Sequence, residues 1–158
     1  MKRILNFFWL LLACTAFSGC PYESEVPIDN PSIKVNPKLL ATWEDTKNHD
    51  VYKVTKHDDF TYSIEQVNTK ENSGLLAFES LVEGVTFLNI WDASTVTKKY
   101  SLYKIDSQPD GSILLSEVTE NIAETFSSGA ELKKFISANM KNSYFFGKEK
   151  ITLTRKGN

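Results

Sequence analysis

Cysteine and histidine occur only twice each in 158 residues, glycine seven times and proline five. Two cysteines cannot build a disulfide framework or a thiolate zinc site. His49 and His57 sit in polar, turn-like surroundings (Asn48-His49-Asp50 and His57-Asp58-Asp59), which suits exposed loop histidines better than acid–base or metal chemistry. No Gly-x-Ser-x-Gly elbow, Gly-rich phosphate loop or His-Glu-x-x-His occurs, so nothing points to an enzyme. Neither sign of charge dominates: 18 basic against 20 acidic side chains give a net charge of −2. Dispersed, mildly acidic charge leaves no footprint for nucleic acid and no polybasic membrane patch. Long apolar runs are scarce too. The single one, Ile4 to Phe17, is broken by Asn6 and Thr15 and falls short of the roughly 20 residues a spanning helix needs.

That run follows Lys2 and Arg3 and ends in Ser18, Gly19 and Cys20. A charged start, an apolar middle and small residues at a cut make an export signal over residues 1–19. Phe17-Ser18-Gly19-Cys20 resembles the lipobox of bacterial lipoproteins, with Phe17 in place of the usual leucine. The resemblance implies acylation of the Cys20 thiol, cleavage before it and acylation of the new N-terminus. Several acyl chains, at about 0.8 kcal/mol per buried CH₂, exceed the two-signal threshold for stable anchoring. Pro21 stands where the family's inner-membrane retention rule favours aspartate, which implies the outer membrane in a cell that has one. Cys14 leaves with the signal, so the mature chain keeps no free thiol. Loss of Lys2 and Arg3 leaves 16 basic against 20 acidic residues, a net of −4.

Pro21, Pro27, Pro31 and Pro37 fall between Cys20 and Lys38, and this extended, Pro-spaced stretch is expected to be a lipid-anchored flexible tether over 20–38. Docking of the segment through Ile28, Ile33 and Val35, which alternate weakly, is the other reading. Residues 39–158 are enough for one domain with its own core. Between Gly and Asn/Asp clusters lie short runs rich in Val, Ile, Thr, Tyr and Phe, the signature of antiparallel strands. These are Ala41 to Asp45, Val51 to Lys56, Phe60 to Val67, Leu75 to Val82, Val85 to Asp92, Lys98 to Asp106, Ser112 to Val118 and Ile151 to Arg155. Glu83-Gly84 suits a two-residue hairpin and Pro109-Asp110-Gly111 a turn. Ser128 with Glu131 forms a capping-box signal before Leu132, Phe135, Ile136 and Met140, which predicts one helix; Thr119 to Phe126 could form a shorter one. Strand 85–92 is apolar on both faces, so it should be covered on both, with the helix as cover. The expected fold is mainly β: an antiparallel meander of about eight strands, curled or closed into a barrel, with one C-terminal α-helix before the last strand.

Leu39-Leu40-Ala41-Thr42-Trp43-Glu44 is similar to the first-strand motif of lipocalin-like proteins, with Ala41 in place of glycine. The resemblance implies an indole across the closed end of a barrel. Such a barrel is either filled by side chains or holds one small ligand. The many large side chains among 120 residues favour a filled interior, with a pocket lined by Trp43, Phe87, Trp91 and Tyr100 as the alternative. Asp106, Asp110, Gly111 and Glu117 match positions of an EF-hand calcium loop, but Gln108, Pro109 and Leu114 depart from it and a strand precedes it. A hairpin turn explains the segment without an ion, and no cofactor or metal is expected. Glu120 and Glu124, four apart, read as a solvated face.

These readings converge on a membrane-anchored cell-envelope lipoprotein acting as a non-catalytic binding or interaction module, its partner an envelope protein; the alternative is a carrier of a small apolar ligand. The first step is directly measurable. The denatured mass of protein extracted from its own membranes should match a chain beginning at an acylated Cys20, and an uncleaved, unacylated mass would overturn the lipoprotein reading.

Overall fold

The computed structural model describes residues 22–67, 74–119 and 122–157; the leader, Cys20 and Glu120 lie outside the described residues. The short strand β1 (Glu23–Ser24) and a 3-10 turn (Pro37–Leu39) precede β2 (Thr42–Asp45), β3 (Val51–Lys56), β4 (Tyr62–Gln66), β5 (Leu75–Val82), β6 (Val85–Asp92), β7 (Tyr100–Ser107) and β8 (Ile113–Val118). The helix α1 (Gly129–Asn139) and β9 (Phe146–Arg155) follow. Each of β2 to β8 pairs antiparallel with the next, β9 pairs with β8, and β9 also pairs with β2. The result is a closed eight-stranded antiparallel barrel with one extra strand and a single helix before the last strand.

Local chemistry fixes the tight connections. Glu83 and Gly84 both have positive φ, 49° and 81°, and Val82 faces Val85, so the β5–β6 hairpin turns on the two left-handed residues that match strand twist. Gly111, at φ 85°, lets its N–H reach the Gln108 carbonyl at 3.0 Å. Ser128 caps α1 by accepting from the Glu131 N–H, while the Glu131 carboxylate reaches back to the backbone and hydroxyl of Ser127. The helix expected over 119–126 is absent from the described part, 122–126, where Ile122 instead lies buried as irregular chain.

Strand alternation sorts the side chains into two layers. Leu88 and Ile90 of β6 belong to the interior with Ala77, Tyr103 and Leu115. Phe78, Val82, Phe87 and Leu102 face outward, where Leu132 and Ile136 of α1, Phe145 and Ile28 cover them in a second core. The double cover of 85–92 is therefore real, but α1 shares it with the N-terminal segment.

That segment differs from the expected tether. β1 pairs with the start of β7, Glu23 opposite Ser101, along the part of that edge beyond β8's reach. Ile28 is fully buried, and its N–H donates to Asn89 Oδ1 at 2.8 Å. Asn89 also donates to Ser80 Oγ at 2.9 Å, so the buried amide is satisfied only with the strap in place. The strap passes so close to the first turn of α1 that residue 129 must be glycine: a Cβ there would meet the Pro27 carbonyl at 2.6 Å. Lys133 pairs with Asp29 at 2.7 Å. Proline made residues 22–38 extended, as composition implied; buried apolar groups and one buried amide made them a strap.

Asn89→Ala should therefore lower stability by about 1–3 kcal/mol, the cost of leaving a buried N–H unpaired. A lower urea midpoint with increased proteolysis near Ile28 is the expected readout. An unchanged midpoint would mean that the strap is not held by this bond.

Candidate functional site

The barrel interior is hollow, with a cavity of about 440 Å³. This corrects the expectation of a filled interior. Phe78 of β5 and Phe87 of β6 point into the outer core, which leaves Ala77, Leu88 and Ile90 as the inward side chains at the middle of these two strands. Val54, Ile64, Leu88, Ile90, Ile105 and Leu115 form its walls.

One end is closed by the strap. The Val35 N–H bonds the Asp59 carbonyl and the Asn36 N–H bonds the Tyr62 hydroxyl, at 3.0 and 2.6 Å, which carries the chain to the end of the barrel. Leu39 then plugs the interior beneath Trp43, whose Nε1 donates to the Leu39 carbonyl at 2.9 Å. Arg155, at the end of β9, stands 5.3 Å from the indole centroid and donates to the Lys38 carbonyl at 2.7 Å. The opposite end is the mouth. Its rim carries Glu23, Asp92, Thr95, Thr97, Lys99 and Ser101, with a Lys99–Glu23 ion pair of 3.3 Å. The cavity thus runs from a polar rim to an apolar floor.

Two tyrosine–carboxylate pairs mark the interior. The Tyr103 hydroxyl donates to Glu117 Oε1 at 2.5 Å, and the Tyr62 hydroxyl donates to Glu79. Both phenols border the cavity, and burial, reinforced by the hydrogen bond to the carboxylate, pushes each above its ordinary value of 10.0. Burial also raises Tyr52 on the same wall, helped by the charges of Asp50 and Asp45. The Tyr62 and Tyr103 hydroxyls are committed to protein acceptors, and no histidine lines the space.

Of the four aromatics expected at a pocket, Trp43 lies at the floor and Trp91 borders the mouth. Phe87 and Tyr100 do not line it. They face the outer core, Phe87 stacked on Phe146 and Tyr100 against Phe78 and Trp91. The reading missed Tyr62 and Tyr103, although strand parity linked them: Tyr62 stands opposite Ala77 and Tyr103 opposite Leu88, both inward. Asp106, Asp110 and Glu117 do not converge. Asp106 pairs with Lys104 at 2.9 Å, Asp110 accepts from the Ser112 N–H and hydroxyl, and Glu117 points inward to Tyr103. Among the described residues no cluster of three or more His, Cys, Asp or Glu could hold a metal ion.

Compared with protein-family models, curated proteins and solved structures, the chain finds no match.

The raised phenols set an alkaline limit. A group whose folded pKa exceeds its unfolded one keeps the native state protonated longer, so its contribution is complete below pH 10 and is lost as pH rises through the folded value. Unfolding midpoints should fall steeply above pH 10, and Tyr103→Phe should make that fall shallower. Equal slopes in the two proteins would show that Tyr103 titrates normally.

Proposed function

We propose that the protein is a membrane-anchored, non-catalytic binding protein of the cell envelope that carries a small, mainly apolar ligand inside its barrel. The cavity carries this reading. A preformed space of about 440 Å³, open at one end and walled by aliphatic and aromatic side chains, matches the form of small-molecule sites. At about 30 Å³ per non-hydrogen atom, the share of a water in liquid, it takes on the order of fifteen such atoms. A void of this size costs packing, and a chain that needed only a scaffold would have filled it.

Further support comes from what the site omits. Its acidic neighbours Glu79 and Glu117 are held by tyrosines, and the lining carboxylates Glu23 and Asp92 sit at the rim, Glu23 paired with Lys99 and Asp92 accepting from Ser94. The indole of Trp43 at the closed end fits the lipocalin-like resemblance of residues 39–44, and the lipobox supplies the anchor at Cys20 and the outer-membrane address.

Native mass spectrometry of the full-length protein, extracted in mild detergent from its own membranes, tests the reading. A discrete small molecule that leaves only on denaturation is the expected result. Ala77→Phe places a ring into the cavity wall and should reduce occupancy at least about tenfold, equivalent to roughly 1.4 kcal/mol, with the fold retained. A bare domain, or one arriving with a protein partner, would replace the carrier with an interaction module.

A further inference from the structure

The path of the strap constrains how the barrel sits on its membrane. Glu23 lies on the rim of the cavity, where β1 is hydrogen-bonded beside Ser101 of β7. Cys20 precedes it by three residues, and three residues of extended chain reach at most about 11 Å. An eight-residue strand rising about 3.3 Å per residue and tilted by about 40° makes a barrel roughly 20 Å tall. A chain held at Cys20 therefore cannot present the floor of the barrel to the surface while the mouth faces away.

The surface agrees. Among the described residues, the three most exposed large apolar side chains are Val96, Tyr144 and Val67, at 103%, 55% and 54%. All three lie on connections at the mouth end: Val96 between β6 and β7, Val67 directly after β4, and Tyr144 just before β9. Lys98 and Lys99 flank the Val96 loop, and Lys98 lies 5.3 Å from the Trp91 ring. The turns at the floor end carry Asp58, Asp59, Glu83 and Asp110. Asp58 and Asp110 are held below the usual carboxylate range, chiefly by hydrogen bonds from the Phe60 N–H and from Ser112, while Asp59 pairs with Lys56 at 2.5 Å and Arg155 and Lys38 stand at the same end.

We propose that the mouth of the barrel is held against the bilayer that bears the anchor, and that the cavity takes up the acyl chain of a single-chain amphiphile directly from that bilayer. The apolar floor receives the chain, and the hydroxyls and charges of Thr95, Thr97, Lys99 and Ser101 remain at headgroup level. This rests on the reading of Cys20 as the anchor and of the cavity as a ligand site, and the two are separable.

The acylated full-length protein would be reconstituted into vesicles of phosphatidylethanolamine and phosphatidylglycerol, with a fluorophore on a cysteine introduced by Val96→Cys or Leu81→Cys. The only other mature thiol is the one under lipid. A nitroxide-headgroup lipid should quench the label at Val96→Cys and leave that at Leu81→Cys, at the floor end, at background. Equal or reversed quenching overturns the orientation. For loading, Trp91→Phe leaves Trp43 at the floor as the sole mature tryptophan, and a chain-brominated fatty acid in the vesicles should quench it. No quenching of Trp43 beside a quenched Val96 label overturns the uptake and the carrier reading while the orientation stands. Quenching of Trp43 with the labels reversed keeps the carrier and overturns the orientation. A denatured mass without acyl groups on Cys20 overturns the anchored arrangement at its root.

Discussion

One hydrogen bond in the outer core, from the Ile28 N–H to the Asn89 side chain, ties the N-terminal strap to the barrel wall. Asn89 is fully buried on a strand face otherwise made of Val85, Phe87 and Trp91. An amide there is expensive unless every polar atom is used. The strap, Ser80 and the Phe78 carbonyl use them all. The position of Ile28 in turn sets both ends of the strap. Upstream it delivers Glu23 to the mouth, and downstream it delivers Asn36 and Leu39 to the floor. Closure at one end and openness at the other both follow from where this segment is pinned.

The floor is a small mechanism of its own. Trp43 is held by a carbonyl four residues upstream and covered by a guanidinium from the last strand, so the first and last barrel strands meet over the plug. Arg155 stacks on the ring and also bonds the Lys38 carbonyl, which fixes the 3-10 turn against the barrel. A cation over an indole is worth roughly 0.5–1 kcal/mol at exposed sites, so it orients the plug more than it stabilises the fold.

The strands were legible because Gly, Asn and Asp punctuate them and β-branched and aromatic residues fill them. Glu83-Gly84 even specified its turn type. The strap was legible only as the second reading, through the weak alternation of Ile28, Ile33 and Val35, because four prolines describe an extended chain equally well whether it is solvated or docked. Only the polar Asn89 in an apolar face hinted that a backbone donor would arrive from outside. The cavity was hidden for a related reason. β6 is apolar on both faces, so composition alone cannot tell which face looks inward, and Phe87 was assigned to the pocket that Leu88 and Ile90 line. Pairing parity resolves it, because Trp43 opposite Tyr52 and Tyr62 opposite Ala77 share the interior.

A hollow barrel must find its stability elsewhere. Wall residues facing an empty space give up part of the dispersion energy that a packed core supplies. Here the large side chains lie on the other side of the wall, where Phe78, Phe87, Leu102, Val118, Leu132, Ile136 and Phe145 form a continuous, nearly water-free layer. At about 1.5–3 kcal/mol for each large apolar side chain fully buried, this layer is the main source of stability outside the sheet itself. The helix and the strap are therefore the reason the interior can stay open. The division also separates two kinds of change: substitutions in the outer layer act on the packing of the helix and strap, while substitutions on Ala77, Ile90 or Leu115 also change the shape of the cavity.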